Sequence, residues 1–269
     1  MKKLFLSYML FLAILSVSAQ KAEDLYQDAL KKIEAKDYKG AVEKLDLALI
    51  VNPNYKEAYM QRGLAKKELL QYQGSLSDFS KVIELDPKMA DAYDERADLY
   101  SQMGKETEAL KDIEHSLKID SLDPKSYVVR GDIYRKRGNG KEAVHQYEKA
   151  IKIDHKYESA YMKLAIYHYN LDQKHKAIHE VNRLIKINPK HAGAYALKGE
   201  LELSHKQYKQ ALMDLDKSIE YDNTVGSTYT FRGTAKLHLG MKKAACEDWT
   251  KAQELGDVEC EEYLEKHCK

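Results

Sequence analysis

From Ala22 onward the chain repeats every 34 residues without insertion or deletion, and that register constrains its fold more than any other feature. Units begin at 22, 56, 90, 124, 158, 192 and 226. Their fourth position holds Leu25, Tyr59, Tyr93, Tyr127, Tyr161, Tyr195 and Tyr229. The eighth holds Ala29, Gly63, Ala97, Gly131, Ala165, Gly199 and Gly233, and the twentieth Ala41, Ser75, Ala109, Ala143, Ala177, Ala211 and Ala245. Small residues in every unit at two fixed positions mark places where two backbones approach closely. The twenty-fourth position supplies the larger side chain that fills the space beside them: Leu45, Phe79, Ile113, Tyr147, Val181, Leu215 and Trp249. A fourth-position Tyr can bury its ring while its hydroxyl reaches the surface.

Composition says which elements carry this period. Only 4 Pro stand in 269 residues, 32% of residues are charged, and no segment alternates apolar and polar residues long enough to propose a sheet. Each unit therefore reads as two antiparallel helices. The breaks fall where a hairpin must turn, with Gly104, Gly138 and Gly240 at the fifteenth position and Pro53, Pro87 and Pro189 at the thirty-second.

The period and these residues resemble the tetratricopeptide repeat over residues 22–259. Departures are mild. The fourth position is Tyr rather than Trp, and Ser121, His155, Asn223 and Asp257 replace the late Pro in four units, with Pro124 displaced into the next. The resemblance implies an all-α, right-handed superhelical solenoid of seven helix-turn-helix repeats: 22–55, 56–89, 90–123, 124–157, 158–191, 192–225 and 226–259. Residues 257–269 are expected to close it with a capping helix over 257–267. Asp257 would cap its N-terminus, Glu261, Glu262 and Glu265 its outer face, and Tyr263 and Leu264 its inner face.

The first nineteen residues are of another kind. Lys2 and Lys3 precede an apolar run from Leu4 to Val17, and Val17 and Ala19 sit where a signal peptidase needs small residues. The run is short for a membrane anchor, which needs about 20 apolar residues. A signal peptide over 1–19 is expected, cleaved before Gln20, leaving a periplasmic or secreted protein with no integral membrane segment. Loss of Lys2 and Lys3 leaves 42 basic against 43 acidic residues, which disfavours a nucleic-acid partner.

Three cysteines in an exported chain invite a disulfide. Cys246 and Cys268 stand equally far either side of a hairpin turn at Asp257, so antiparallel helices bring them to one end. Cys260 lies about 12 Å along the axis from either, at 1.5 Å per residue, beyond bridging distance. The expected bond is Cys246–Cys268, with Cys260 free.

Catalytic chemistry finds little support. His175 and His179 are one helical turn apart with Glu180 beside them and His145 one unit earlier, yet the order lacks the Glu between ligands that a zinc hydrolase uses. A solvated helix face is the expectation there. No nucleophile elbow and no phosphate-binding loop occurs, so no enzyme, cofactor or metal is expected.

In proteins of the resembled family, first-helix positions 2, 5, 9, 12 and 13 line a concave groove. Carried across, these are Asp91, Asp94 and Asp98 in unit three, with Lys125, Val128, Asp132, Arg135 and Lys136 in unit four. Unit five contributes Ser159, Met162, Ile166, Tyr169 and Asn170. Asp91, Asp94 and Asp98 share one helical stripe, so an acidic centre is expected, favouring a basic or hydroxyl-bearing protein segment. The family's carboxylate clamp, Lys at position 5 and Asn at position 9, is absent: position 5 holds no Lys and position 9 no Asn. The main expectation is therefore a non-enzymatic interaction scaffold with a protein or peptide partner. A carbohydrate- or cell-wall-binding protein is the alternative, motivated by the 20 Tyr. An open array end can also stack on another molecule, and the atypical first repeat is where self-association would begin.

Overall fold

The computed structural model describes residues 19–268, so the expected signal segment, apart from Ala19, lies outside the described residues. Every regular element among them is a helix. Helix α1 covers residues 19–34 and is followed by α2 (Tyr38–Val51), α3 (Lys56–Glu68), α4 (Tyr72–Leu85), α5 (Ala90–Gln102), α6 (Glu106–Ile119) and α7 (Pro124–Lys136). Then come α8 (Gly140–Ile153), α9 (Glu158–Asn170), α10 (Lys174–Ile187), α11 (Ala192–Ser204), α12 (Tyr208–Tyr221), α13 (Gly226–His238), α14 (Lys242–Glu254) and α15 (Glu261–His267). The chain forms two compact units, one ending at Ala143 and one beginning at Val144.

Close approach of paired helices is visible at the eighth position. A Cβ added to Gly63 would stand 2.6 Å from the Phe79 ring, one on Gly199 2.6 Å from Leu215, and one on Gly233 2.6 Å from the Trp249 indole. The large residue on the second helix thus occupies the space that glycine vacates on the first. Where the facing residue is β-branched, as with Ile113 or Val181, the eighth position carries Ala97 or Ala165 in the same core cluster. Ser75, the one hydroxyl at the twentieth position, donates to the Gly63 carbonyl at 2.7 Å, so its polar atom is satisfied inside the core.

The hairpin turns share one backbone solution. The fifteenth-position residue has positive φ in all seven: Lys36, Leu70, Gly104, Gly138, Asp172, Lys206 and Gly240. Glycine adopts that conformation freely, whereas the other four residues bear a Cβ penalty. The links between hairpins share another. Asn52, Asp86, Asp120, Asp154, Asn188 and Asp222 each accept the backbone N–H two residues on, at 2.9 to 3.2 Å. Fourth-position hydroxyls clamp the same links. Tyr127, Tyr161, Tyr195 and Tyr229 donate to the carbonyls of Ser121, His155, Pro189 and Asn223.

Charged side chains also cross between paired helices. Arg62, Arg96 and Arg232 each grip the Asp sixteen residues later through two nitrogens: Asp78, Asp112 and Asp248. The third nitrogen reaches back to the preceding hairpin, onto Asp46, Ser80 and Asp216 respectively. The first repeat inverts this pair, with Asp28 on α1 and Lys44 on α2 at 3.7 Å.

At the C-terminal end the expected cap is corrected in extent. The closing helix starts at Glu261, not at 257, because the chain turns at Gly256 with positive φ and residues 257–260 bend and turn without forming helix. Asp257 accepts the Glu259 amide and the Thr230 hydroxyl and therefore serves the turn, while the cap position of α15 falls to Cys260. Tyr263 stacks on Trp249, centroids 5.1 Å apart. Cys246 and Cys268 are joined with their Cα atoms 5.7 Å apart, and Cys260 is free and buried.

Candidate functional site

The charged groove candidates lie in the first unit, on α5 and α7. Asp91 is well exposed and pairs with Lys125 at 3.0 Å. Asp98 pairs with Lys67 on α3 at 2.6 Å and accepts from Gln102. Glu95, one residue beyond Asp94, sits between the two lysines, 2.8 Å from Lys67 and 3.0 Å from Lys125. Burial works against the charge on Lys125, but Glu95 and Asp91 outweigh it and hold the lysine above its usual range. Burial likewise opposes the charge on Glu95, and Lys125 and Lys67 outweigh it, holding the carboxyl below its usual range.

Asp94 corrects the expected acidic stripe. Its side chain is fully buried, because α7 lies over α5 and brings Ser126 against it; the Ser126 hydroxyl donates to its carboxylate at 2.9 Å, and Ser126 also meets Ser116 at 2.8 Å. The second oxygen, Oδ1, has no hydrogen-bond partner among the described residues. Burial pushes this carboxyl up to about 7, against the pull of Ser126 and Ser116. At the same fifth position Met60, Val128 and Thr230 are buried too, whereas Tyr26, Met162 and Ala196 stay partly exposed. Three carboxylates, Asp91, Glu95 and Asp98, thus meet two lysines, and the centre expected to be acidic is largely compensated from within. Asp132 and Arg135, also on α7, stand 3.7 Å apart.

Apolar candidates lie in the second unit, on α9. Met162, Ile166 and Tyr169 follow one another at spacings of four and three, on one helical face. Ile166 is 38% exposed, Met162 and Tyr169 half-buried. On α11, Gly193 is exposed and its backbone runs close to the Met162 methyl: a Cβ added there would touch it at 3.8 Å and the His191 ring at 3.4 Å. Glu200, also on α11, accepts the Tyr169 hydroxyl at 2.5 Å. Burial and then Glu200 push that hydroxyl up to about 12, so it stays a neutral donor to the carboxylate.

His175 and His179 line a recess of 510 Å³ together with His168, Glu148, Glu180, Lys176 and Val144. Among the described residues no three His, Cys, Asp or Glu side chains are grouped to hold a metal ion. Glu180 is engaged by Arg183 at 2.8 Å. No helix among the described residues is long and apolar enough to cross a membrane.

Sequence reasoning missed Glu95 and Lys67, since neither the bridge at position 6 nor its lysine partner one repeat earlier follows from a single-helix stripe. It missed Glu200 as the partner of Tyr169 for the same reason. The available signal was the spacing between first helices, which puts 67, 95 and 125 on three consecutive ones.

Comparison with known proteins identifies the repeat. The tetratricopeptide repeat pattern matches residues 90–121 and 158–191, and a TPR repeat pattern matches 131–172. No curated protein matches the chain. A tetratricopeptide repeat protein from Parabacteroides merdae is 22% identical with a TM-score of 0.64, over 93% of this chain and 100% of that one. Pseudomonas aeruginosa pilF is 16% identical with a TM-score of 0.62, over 78% of this chain and 97% of its own. YrrB, described as a TPR protein with an unusual peptide-binding site, is 22% identical with a TM-score of 0.50, over 70% and 97%. Repeat pattern, helical pairing and these likenesses agree: residues 90–121 and 131–191 carry tetratricopeptide repeats, within a helical repeat array of the same fold.

Proposed function

We propose that this chain is an exported, non-enzymatic scaffold, periplasmic or secreted, that accommodates an extended protein segment along the first helices of its second unit. The observation that carries the reading is the line of Met162, Ile166 and Tyr169 on α9 facing Glu200 on α11. It offers apolar surface, exposed backbone at Gly193 and a carboxylate, which suit a segment with apolar side chains and a basic or hydroxyl donor. The carboxylates of the first unit already pair with lysines, so their charge is not free to select a partner. A peptide site in YrrB is in keeping with this ligand class. Export is supported by the amino-terminal sequence, with its basic start, apolar run and small residues before Gln20.

The test is capture from cell-envelope extract with residues 20–269, comparing wild type with Ile166→Glu, Glu200→Lys and a control. Met213→Glu is the control, since Met213 is 65% exposed on the second helix of its repeat. Retention of the captured protein should fall about tenfold or more with the two α9–α11 changes and persist with the control. Loss with Met213→Glu alone would move the binding surface to the other face.

A further inference from the structure

A seven-residue helix makes too few internal hydrogen bonds to persist by itself, so α15 stands only through what ties it to α14. The Tyr263 ring lies on Trp249 with an interplanar angle of 17°. Cys260 is fully buried in the same cluster as Ala245, Trp249 and Ala252. Cys246, near the start of α14, is bonded to Cys268, the residue that follows α15. The helix also keeps the register of the array, because Tyr263 falls one period after Tyr229. It therefore covers the α14 face that a further first helix would cover, and Trp249 is fully buried with it in place.

The bond is open to attack. Cys246 and Cys268 are both half-exposed, and Cys268 borders a recess of 410 Å³ along the α14–α15 seam with Thr250, Gln253 and Leu264. Cys260 is sealed away and donates to the Asp257 carbonyl. Burial, and then Asp257, push its thiol up, so it stays protonated and does not join the exchange.

We infer that the Cys246–Cys268 bond is a redox-operated clasp: a dithiol reductant opens it, α15 comes away from α14, and the Trp249 face at the end of the array is uncovered. In the first step a reductant thiolate attacks the Cys268 sulfur, the bond between the two cysteines breaks, and Cys246 leaves as a thiolate and takes a proton. The second reductant thiol loses its proton and attacks the mixed bond, releasing Cys268 as a thiol. The reductant ends as a disulfide, and two electrons and two protons end on the two cysteines. Without the covalent tie, the Tyr263 and His267 rings on Trp249, the Leu264 side chain and a buried turn remain to hold seven residues.

Trp249 is the chain's single tryptophan, so its emission reports on the cap directly. The test uses residues 20–269 purified without reductant and then treated with dithiothreitol. Alkylation in denaturant, followed by mass measurement, should find one free cysteine before treatment and three after. Reduction should shift Trp249 emission to the red, raise its quenching by acrylamide, and speed amide exchange in 261–268 by roughly a few hundredfold, the scale expected from opening a loop of this length. Far-ultraviolet circular dichroism should barely change, which separates cap release from unfolding. A Cys246→Ser, Cys268→Ser double variant should show the reduced signals without reductant and no response to it. Three free cysteines at the outset, or full reduction with emission and exchange in 261–268 unchanged, would overturn the clasp.

Discussion

Single residues set how closely helices pair, and this can be tested as a cycle. Gly63 and Phe79 divide one space, as do Ala97 and Ile113 in the next repeat with the volumes redistributed. Gly63→Ala gains helix propensity yet drives a methyl into a buried ring, so it should destabilise; Phe79→Ile alone should leave a cavity. Together they recreate the next repeat's combination, and urea melts should show a favourable coupling of about 1 kcal/mol or more. Independent effects of the two changes would mean that the ring can move aside. Asp94 carries a second residue-scale expectation. An unfolded Asp titrates at about 3.9, whereas the buried carboxyl beside Ser126 is pushed up to about 7. The folded state therefore binds the extra proton between these values, so this group's stabilising contribution is full below the lower one and is lost as pH rises through the upper. Glu202, pushed up to about 7 by burial and then Asp214, acts in the same direction. Asp94→Asn should match wild type near pH 4 and exceed it by on the order of 2 kcal/mol near pH 8. Parallel pH profiles for the two proteins would show that Asp94 is ionised throughout.

At the scale of elements, the paired helices are locked by ions as well as by apolar packing. Asp248 on α14 receives two nitrogens of Arg232 and the Lys236 ammonium at 2.8 Å, and all three side chains are mostly buried. Asp248→Ala leaves two cations against each other without their carboxylate and should cost about 3 kcal/mol. Replacing the group by apolar residues of similar volume should cost far less, because the penalty comes from stranding the charges. Denaturant melts of both variants give the comparison, and equal losses would mean that the pair is worth its full attraction. The Arg and Asp positions, sixteen apart, were legible as a pattern in the sequence, as were the Asn and Asp at each link. They went unread because a residue's charge implies solvent until a facing helix is known to cover it. The turn at Gly256 hid the start of α15 for a related reason: helical side chains continue through 257–260 while the backbone does not.

For the molecule as a whole, an array of this kind distributes stability over neighbouring repeats, and its ends need covers. The seven-residue α15 serves as one. At the other end, Leu47 and Ile50 on α2 are 48% and 75% exposed, with Leu47 standing where later repeats carry Lys81, Lys149, Arg183, Lys217 and Lys251. Export belongs to this scale too. Expression with the native amino terminus in a secreting host should yield protein beginning at Gln20, read by mass and amino-terminal sequencing. Recovery of the intact chain with Met1 in the cytosolic fraction would remove the exported reading.

The register by itself determined the helical pairs, the small-against-large crossings and the pairing of Cys246 with Cys268, because these follow from period and from distance along a helix. Only the tertiary structure decided which charges are available to a partner. Asp94 looks like a surface acid on its own helix and becomes a buried carboxyl once α7 lies over it. Asp91 and Asp98 look free until Lys125 and Lys67 arrive from neighbouring first helices. Periodicity specifies which face of a helix is covered, whereas the state of a charge depends on the dielectric and the counterions that other helices bring to it.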